Sequence, residues 1–119
     1  MLRAFLRAAE SDRIDMSYGQ SDKNELLPWL YENQPLEVAG FSIREVKSYL
    51  SSRGVVNGLK FIFKGDCRWL LIRSSETEDM IRFYAEGQTG EEVSGLLRQG
   101  QNLLLQVSGN IIHSKRHKA

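Results

Sequence analysis

The spacing of apolar residues predicts helices at both ends of the chain and strands between them. Apolar residues recur at helical intervals over residues 1–10, 24–33 and 90–105, with Pro28 interrupting the second segment. Thr89 followed three positions later by Glu92 matches a capping box at the start of the last helix. Residues 11–20 are polar and contain Gly19, so we expect a connector there.

The middle of the chain changes to an alternation with a period of two. This pattern predicts strands over residues 38–50, 58–64, 67–73 and 80–86. Asn57-Gly58 and Lys64-Gly65-Asp66 have the composition of turns. Cys67 and Trp69 alternate with the next residues of their strand and are expected in the core, whereas Arg68 and Arg82 are expected at exposed strand positions near the following loop.

The short links between the strands favour antiparallel pairing, and two amphipathic helices are available to cover one sheet face. The fold class predicted is therefore α+β, a two-layer sandwich of a four-stranded antiparallel sheet with two main helices on one face. We expect residues 1–20 to form an N-terminal helix and linker, residues 21–107 the domain, and residues 108–119 a disordered basic tail. His113 and His117 in that tail have the spacing of two metal ligands on a helix, but no third ligand is evident.

Composition narrows the class of protein. The chain has 119 residues, which suits one domain, and 41% hydrophobic with 26% charged residues is ordinary for a globular protein. A formal net charge of +1 gives no general attraction to nucleic acid or to a membrane. Cys67 is the single cysteine, which excludes an intrachain disulfide, and no apolar run is long enough to span a bilayer. We expect a cytoplasmic location.

The candidate chemistry lies where an apolar strand ends at Arg73 and a hydroxyl-rich loop begins. A guanidinium presents a planar pair of donors that suits two oxygens of a phosphate. The hydroxyls of Ser74, Ser75 and Thr77 and the backbone N–H groups of the loop can add donors from other directions. The alternative is an ordinary turn between strands, in which Ser and Thr are common for conformational reasons.

This stretch resembles the C-terminal domain of the α-D-phosphohexomutases, the phosphoglucomutase and phosphomannomutase superfamily. Their phosphate loop reads Arg-Pro-Ser-Gly-Thr-Glu-Pro, and residues 73–79 here read Arg-Ser-Ser-Glu-Thr-Glu-Asp. Further similarity extends over residues 13–105, including Asn57-Gly58-Leu59-Lys60-Phe61 before the loop. The resemblance implies a TATA-binding-protein-like fold and assigns phosphate binding to Arg73, Ser75 and Thr77, with Ser74 beside them.

Three positions depart from the family pattern. Ser74 and Asp79 replace prolines, which makes the loop less rigid. Glu76 replaces a glycine, and its carboxylate repels a phosphate unless it turns away. We therefore expect the three acidic residues of the loop, Glu76, Glu78 and Asp79, to modulate its affinity for phosphate.

The resemblance implies a domain that holds the phosphate of a hexose 1-phosphate or 6-phosphate and works with other domains of the same enzyme. The sequence has no Asp-x-Asp-x-Asp magnesium site and no phosphoserine loop, so we expect no catalytic residue, no metal site and no cofactor in this chain. Magnesium is expected on another domain of the full-length enzyme. The alternative is a stand-alone, non-catalytic interaction module with a degenerate phosphate loop.

Overall fold

The computed structural model describes residues 9–118, with side chains described for residues 9–113. The described chain folds into six strands and two helices. Their bounds are β1 Glu10–Ser17, α1 Lys23–Glu32, β2 Glu37–Val38, β3 Phe41–Leu50, β4 Val56–Phe63, β5 Trp69–Ser74, β6 Met80–Gly87 and α2 Gly90–Lys118.

The strands form one antiparallel sheet in the order β1-β6-β5-β4-β3-β2. The α+β, two-layer prediction is confirmed, but the predicted number of four strands is wrong because the sheet has six. The predicted linker before residue 21 contains β1, which pairs along its full length with β6. Only Ile14 and Met16 of β1 pack against the core, so the strand is too polar for its alternation to stand out. The helix predicted over residues 1–10 lies mostly outside the described residues, and Glu10 belongs to β1.

The predicted strand over residues 38–50 is split by a tight turn between β2 and β3. Ala39 and Gly40 both adopt positive φ, at 54° and 84°, which interrupts the extended backbone. The turn expected at Asn57-Gly58 is also misplaced, because Gly58 lies inside β4 and pairs with Tyr49 and Arg73. The chain reverses instead near Gly54, where φ is 79°.

The core lies between the sheet and the two helices. Alternate residues of β4, β5 and β6 are fully buried on the helix-covered face. Gly100 brings α2 close to the sheet, because an added Cβ there lies 3.1 Å from Leu70 and 3.3 Å from Phe83. The largest buried side chains on this face and on the helices are Leu26, Leu27, Leu30, Leu59, Phe61, Phe63, Leu70, Ile72, Ile81, Phe83, Leu96 and Leu104.

The C-terminal segment corrects the prediction of a disordered tail from residue 108. Helix α2 continues to Lys118, and both Val107 and Ile111 are buried in the core cluster. These two residues continue the apolar stripe of α2 at intervals of three and four, which holds the helix against the domain. The N-terminus of α2 is capped as predicted, since the Glu92 N–H donates to Thr89 Oγ1 at 3.2 Å.

The assignment of Cys67 and Trp69 to the core is wrong. Cys67 is exposed and has a φ of 57°, so it lies in the turn before β5. Trp69 begins β5 on the face away from the helices, where it is half-buried, donates to Glu86 and is covered by the Lys60 ammonium 4.5 Å from its ring. Alternation along β5 places Leu70 and Ile72 on the opposite face, and that face is the one that the helices cover.

Two polar clusters fasten the helices to the sheet. The Tyr18 hydroxyl lies 2.7 Å from Asp22 Oδ1 and 2.6 Å from Ser108 Oγ, and Ser108 donates to Asp22 Oδ2 at 2.9 Å. At the other end, the Arg68 guanidinium makes a two-pronged contact with Glu92, each N···O distance being 2.9 Å. This contact lowers the pKa of the Glu92 carboxyl, and burial raises the pKa of the Tyr18 phenol, with Asp22 adding to the rise. Neither helix, as far as the described residues extend, is both long and apolar enough to cross a bilayer.

Candidate functional site

The 74–79 loop joins β5 to β6 and is held at several points. The Ser75 N–H donates to the Met80 carbonyl at 3.1 Å, and the Tyr18 N–H donates to the Asp79 carbonyl at 2.8 Å. From the start of α1, the Lys23 ammonium donates to the carbonyls of Ser75 and Glu78. These hydrogen bonds fix the loop to the rest of the domain, and the Lys23 ammonium contacts the loop backbone.

Arg73 and Ser74 leave β5 on opposite faces of the sheet because successive strand residues alternate. Ser74 is 7% exposed on the helix-covered face, whereas Arg73 is exposed on the open face. Two recesses meet at the loop as a result. One, the helix-side cleft, has a volume of about 470 Å³, and the other, the open-face cleft, about 200 Å³.

The predicted phosphate ligands are divided between these clefts. Thr77 lines the helix-side cleft and Arg73 lines the open-face cleft, while Ser74 and Ser75 line both. The Ser74 hydroxyl is buried and has no hydrogen-bond partner among the described residues. A buried hydroxyl without a hydrogen-bond partner lowers the stability of the fold. The Ser74 hydroxyl is therefore available to donate a hydrogen bond to a ligand.

The Ser75 hydroxyl organises the loop from within. Its oxygen accepts the N–H groups of Thr77 at 3.3 Å and of Glu78 at 3.1 Å. These are N–H groups that an anion in a backbone nest would contact. The contact with Glu78 has an ordinary hydrogen-bond length, and the contact with Thr77 is slightly longer than usual.

Glu76 bridges the loop to the connection between β3 and β4. Its Oε1 accepts the Ser52 hydroxyl at 2.7 Å and lies 3.4 Å from the Ser52 N–H. The residue is exposed and has no positive φ, since Ala39 and Cys67 are the described non-glycine residues that do. Replacement of the family glycine therefore imposes no left-handed backbone here, and its consequence is the added charge.

The other two loop carboxylates have neighbours other than Arg73. Glu78 Oε1 lies 2.8 Å from Arg82 Nη2, and Asp79 Oδ2 lies beside Gly19, 3.3 Å from where a Cβ would stand. The Arg73 guanidinium itself makes no ion pair or hydrogen bond with any residue whose side chain is described. The Arg73 guanidinium thus has no ion-pair partner among the described side chains, although Glu76 lines the same open-face cleft.

Three residues of this region were not predicted from the sequence as ligands. Lys23 reaches the loop from a helix 52 positions earlier in the chain. Asn57 lines both clefts from β4, although the dipeptide Asn57-Gly58 is typical of a turn. Arg82 lines the open-face cleft because it lies directly opposite Arg73 in the β5–β6 ladder. Strand register alone could have identified Arg82.

Metal binding has no visible basis in this part of the chain. Among the described side chains, no three His, Cys, Asp or Glu residues are grouped so that they could hold an ion. His113 is described and exposed near the C-terminal end of α2, and the side chain of His117 lies outside the described residues.

Comparison with protein families identifies the domain. Residues 32–99 match the family model described as phosphoglucomutase/phosphomannomutase, C-terminal domain. The match covers more than half of the chain and includes β2 to β6, the 74–79 loop and the first part of α2. The chain therefore belongs to this family of C-terminal domains. No curated relative matches the sequence.

Proposed function

We propose that this domain binds the phosphate of a hexose 1-phosphate or 6-phosphate within an enzyme of the phosphoglucomutase/phosphomannomutase type. The observation that carries the proposal is the unpaired guanidinium of Arg73 beside the 74–79 loop. The hydroxyls of Ser74, Ser75 and Thr77 add donors around the same loop, and family membership supports the assignment.

The role proposed for the domain is to position the substrate and not to carry out chemistry. Holding one phosphate fixes the sugar relative to a reactive group elsewhere, which lowers the entropic part of the barrier to phosphoryl transfer. In the full-length enzyme, magnesium belongs to the proposal as an ion bound by another domain. We expect the isolated chain to lack mutase activity with either hexose phosphate when magnesium and a hexose bisphosphate are supplied.

The test is a titration of the isotope-labelled chain with inorganic phosphate and with glucose 6-phosphate, followed by the amide resonances of residues 73–79. We expect saturable shifts with a dissociation constant of about 1 mM or weaker, because the site is open to water. Arg73→Ala should abolish them. The matched control is Arg44→Ala, since Arg44 is also an exposed strand arginine but lies on β3.

Two variants of Glu76 separate charge from tethering. Glu76→Gly removes both the carboxylate and its bond to Ser52, whereas Glu76→Gln removes the charge and keeps a side chain that can reach Ser52. Both should tighten phosphate binding by about threefold, which corresponds to a screened charge–charge interaction at the protein surface. Amide resonances that do not respond in the wild type or in either variant would contradict the proposal.

The bridge between Glu76 and Ser52 favours a second candidate, a stand-alone interaction module that has lost phosphate binding. This bridge closes the loop onto the 51–55 segment and places a negative charge where the family has a glycine. Failure of phosphate to shift the 73–79 amides, even in Glu76→Gly, is the outcome that favours this candidate.

A further inference from the structure

The Lys23 ammonium holds two carbonyl groups of the 74–79 loop at once. It donates to the Ser75 carbonyl and to the Glu78 carbonyl, and each N···O distance is 2.5 Å. Lys23 is half-buried at the start of α1, so its ammonium approaches the loop from the helix layer. One side chain therefore fixes the orientation of two peptide groups of the loop.

The planarity of the peptide bond extends this constraint to the N–H groups that follow. Each described peptide bond is trans, and in a trans peptide the carbonyl and the N–H point in opposite directions. The Ser75 carbonyl is directed at the lysine, so the Glu76 N–H points away from it and from α1. The Glu78 carbonyl is held in the same way, so the Asp79 N–H also points away. The loop thus presents two backbone donors on the side opposite the lysine.

Both of these N–H groups are without an internal partner. Neither the Glu76 N–H nor the Asp79 N–H donates a hydrogen bond to another described residue. The two N–H groups between them, those of Thr77 and Glu78, donate to the Ser75 hydroxyl oxygen. A free N–H group in a fixed loop can bind an anion without first breaking a bond and without being ordered by the ligand.

The donor at Asp79 distinguishes this loop from the family pattern. Proline stands at the corresponding family position, and proline has no N–H group to donate. Here the Met80 N–H donates to the Glu78 carbonyl at 2.8 Å, which closes a three-residue turn centred on Asp79. Asp79 is not among the described non-glycine residues with positive φ, so the turn is of the inverse type, whose central φ of about −75° also suits proline. The replacement of proline thus adds a donor and requires no different backbone.

We propose that Lys23 is the positioning residue of the loop and that the Asp79 N–H, which it orients, is an additional donor to the bound anion. This inference rests on the function proposed above, since the anion is the phosphate assigned to the loop. The lysine fixes the peptide planes before the ligand arrives, which lowers the entropic cost of binding. Its charge beside the two carbonyls also polarises the peptide groups, so that their N–H groups become stronger donors.

The first measurement is made without ligand. Residual dipolar couplings of the Glu76 and Asp79 N–H vectors report their orientation, once the alignment has been fitted to the rest of the domain. Lys23→Met should change both couplings, whereas Lys23→Arg should retain them, because a guanidinium can also donate to two carbonyls. Lys64→Met is the matched control, since Lys64 is an exposed lysine between β4 and β5, and it should leave both couplings unchanged.

The second measurement is the affinity for inorganic phosphate at constant ionic strength, by amide titration of the full chain. Lys23→Met should weaken binding by about fivefold, because it releases a hydrogen-bond donor to a charged group from its fixed orientation. Lys23→Arg and Lys64→Met should each change the affinity by less than about twofold. Asp79→Pro should bind about fivefold more weakly than Asp79→Ala, because both variants lose the carboxylate and only the proline loses the N–H.

A double-variant cycle separates positioning from the general attraction of the Lys23 charge. If the lysine acts through the Asp79 N–H, Lys23→Met should weaken binding by about fivefold in the Asp79→Ala background and by about twofold in the Asp79→Pro background. Equal losses in the two backgrounds would mean that the lysine acts through its charge alone, and the positioning role would be refuted.

The outcomes distinguish this inference from the proposed function. If Arg73→Ala abolishes phosphate binding while Lys23→Met leaves couplings and affinity at wild-type values, the function stands and the positioning role is refuted. If Asp79→Pro binds as tightly as Asp79→Ala, the Asp79 N–H is not a donor. If phosphate binds to neither the wild type nor Glu76→Gly, the proposed function fails and this inference fails with it. Urea unfolding identifies any variant that has lost its fold, and the Asp79 pair decides the matter if Lys23→Met is such a variant.

Discussion

Replacing Tyr18 with phenylalanine should destabilise the domain by about 2 kcal/mol. The phenol oxygen and the Ser108 hydroxyl both contact the Asp22 carboxylate, which is 4% exposed. A hydrogen bond to a charged group contributes about 1.5–3 kcal/mol, and solvent cannot replace it at this depth. The phenylalanine ring keeps the packing of the tyrosine, so the change reports the hydroxyl alone.

Urea unfolding followed by tryptophan fluorescence measures this loss. With a slope of about 1.5 kcal/mol per molar urea, the midpoint should fall by about 1.3 M. Tyr31→Phe is the matched control, because Tyr31 is 41% exposed and its hydroxyl has no partner among the described residues, so its midpoint should stay near that of the wild type. A Tyr18→Phe midpoint within the error of Tyr31→Phe would refute the energetic role of the triad.

The same variant predicts a pH dependence. Burial is the largest cause that raises the pKa of Tyr18 in the folded chain. The unfolded chain therefore loses this proton first, near pH 10, and the stabilisation is fully present below that pH and declines as the pH rises through the folded pKa. The difference in unfolding free energy between the wild type and Tyr18→Phe should be constant from pH 7 to pH 9 and shrink above pH 10. A constant difference up to pH 11 would contradict this reasoning.

Three further predictions address other parts of the fold. Ile111→Ala should lower the unfolding free energy by about 2 kcal/mol in a urea titration, since Ile111 is 5% exposed. Ile112→Ala should have little effect, because Ile112 is 45% exposed. Equal effects of the two variants would mean that this end of α2 does not pack against the domain. Glu92→Gln should lower the unfolding free energy by about 1 kcal/mol at pH 7, and Glu91→Gln should lower it much less. Because the folded pKa of Glu92 lies below its ordinary value of 4.5, the difference between Glu92→Gln and the wild type should vanish as the pH falls through that folded pKa. An equal loss in both variants would be inconsistent with the ion pair between Arg68 and Glu92. Ser74→Ala should raise the melting temperature, since it removes an unsatisfied buried hydroxyl, and should weaken phosphate binding; unchanged stability would show that water satisfies the hydroxyl.

The sequence predicted the centre of the sheet because its strands carry strong alternation. Each of β4 and β6 places three apolar residues on the buried face, which a period of two makes visible. Strand β1 places only Ile14 and Met16 there, and the rest of it is polar, so its pairing with β6 depends on tertiary contacts. The extension of α2 past residue 105 was missed for a related reason, because Val107 and Ile111 are separated by polar residues and Gly109.

The site was located in the sequence, but its geometry was not. Residues 73–77 are adjacent in the sequence, which suggests a single group of ligands. Strand alternation, however, places Arg73 and Ser74 on opposite faces of the sheet. The partners of the loop come from distant segments, as with Lys23 on α1 and Ser52 before β4. No local pattern records contacts of this kind, because they depend on how the layers pack.

The pairing of β1 with β6 has a consequence for the order in which the domain folds. Strands β3 to β6 follow one another as neighbours in the sheet and can form from short connections, whereas β1 pairs with the last strand, and Tyr18 contacts Ser108 from 90 positions away. Closing so long a segment has an entropic cost before any contact compensates it. During synthesis, β1 emerges before the other five described strands, and it cannot pair with β6 until β6 has been synthesised. The β3–β6 meander is thus the expected nucleus, and β1 with α2 joins it last, so substitutions in Tyr18 or Ile111 should speed unfolding while leaving the folding rate nearly unchanged.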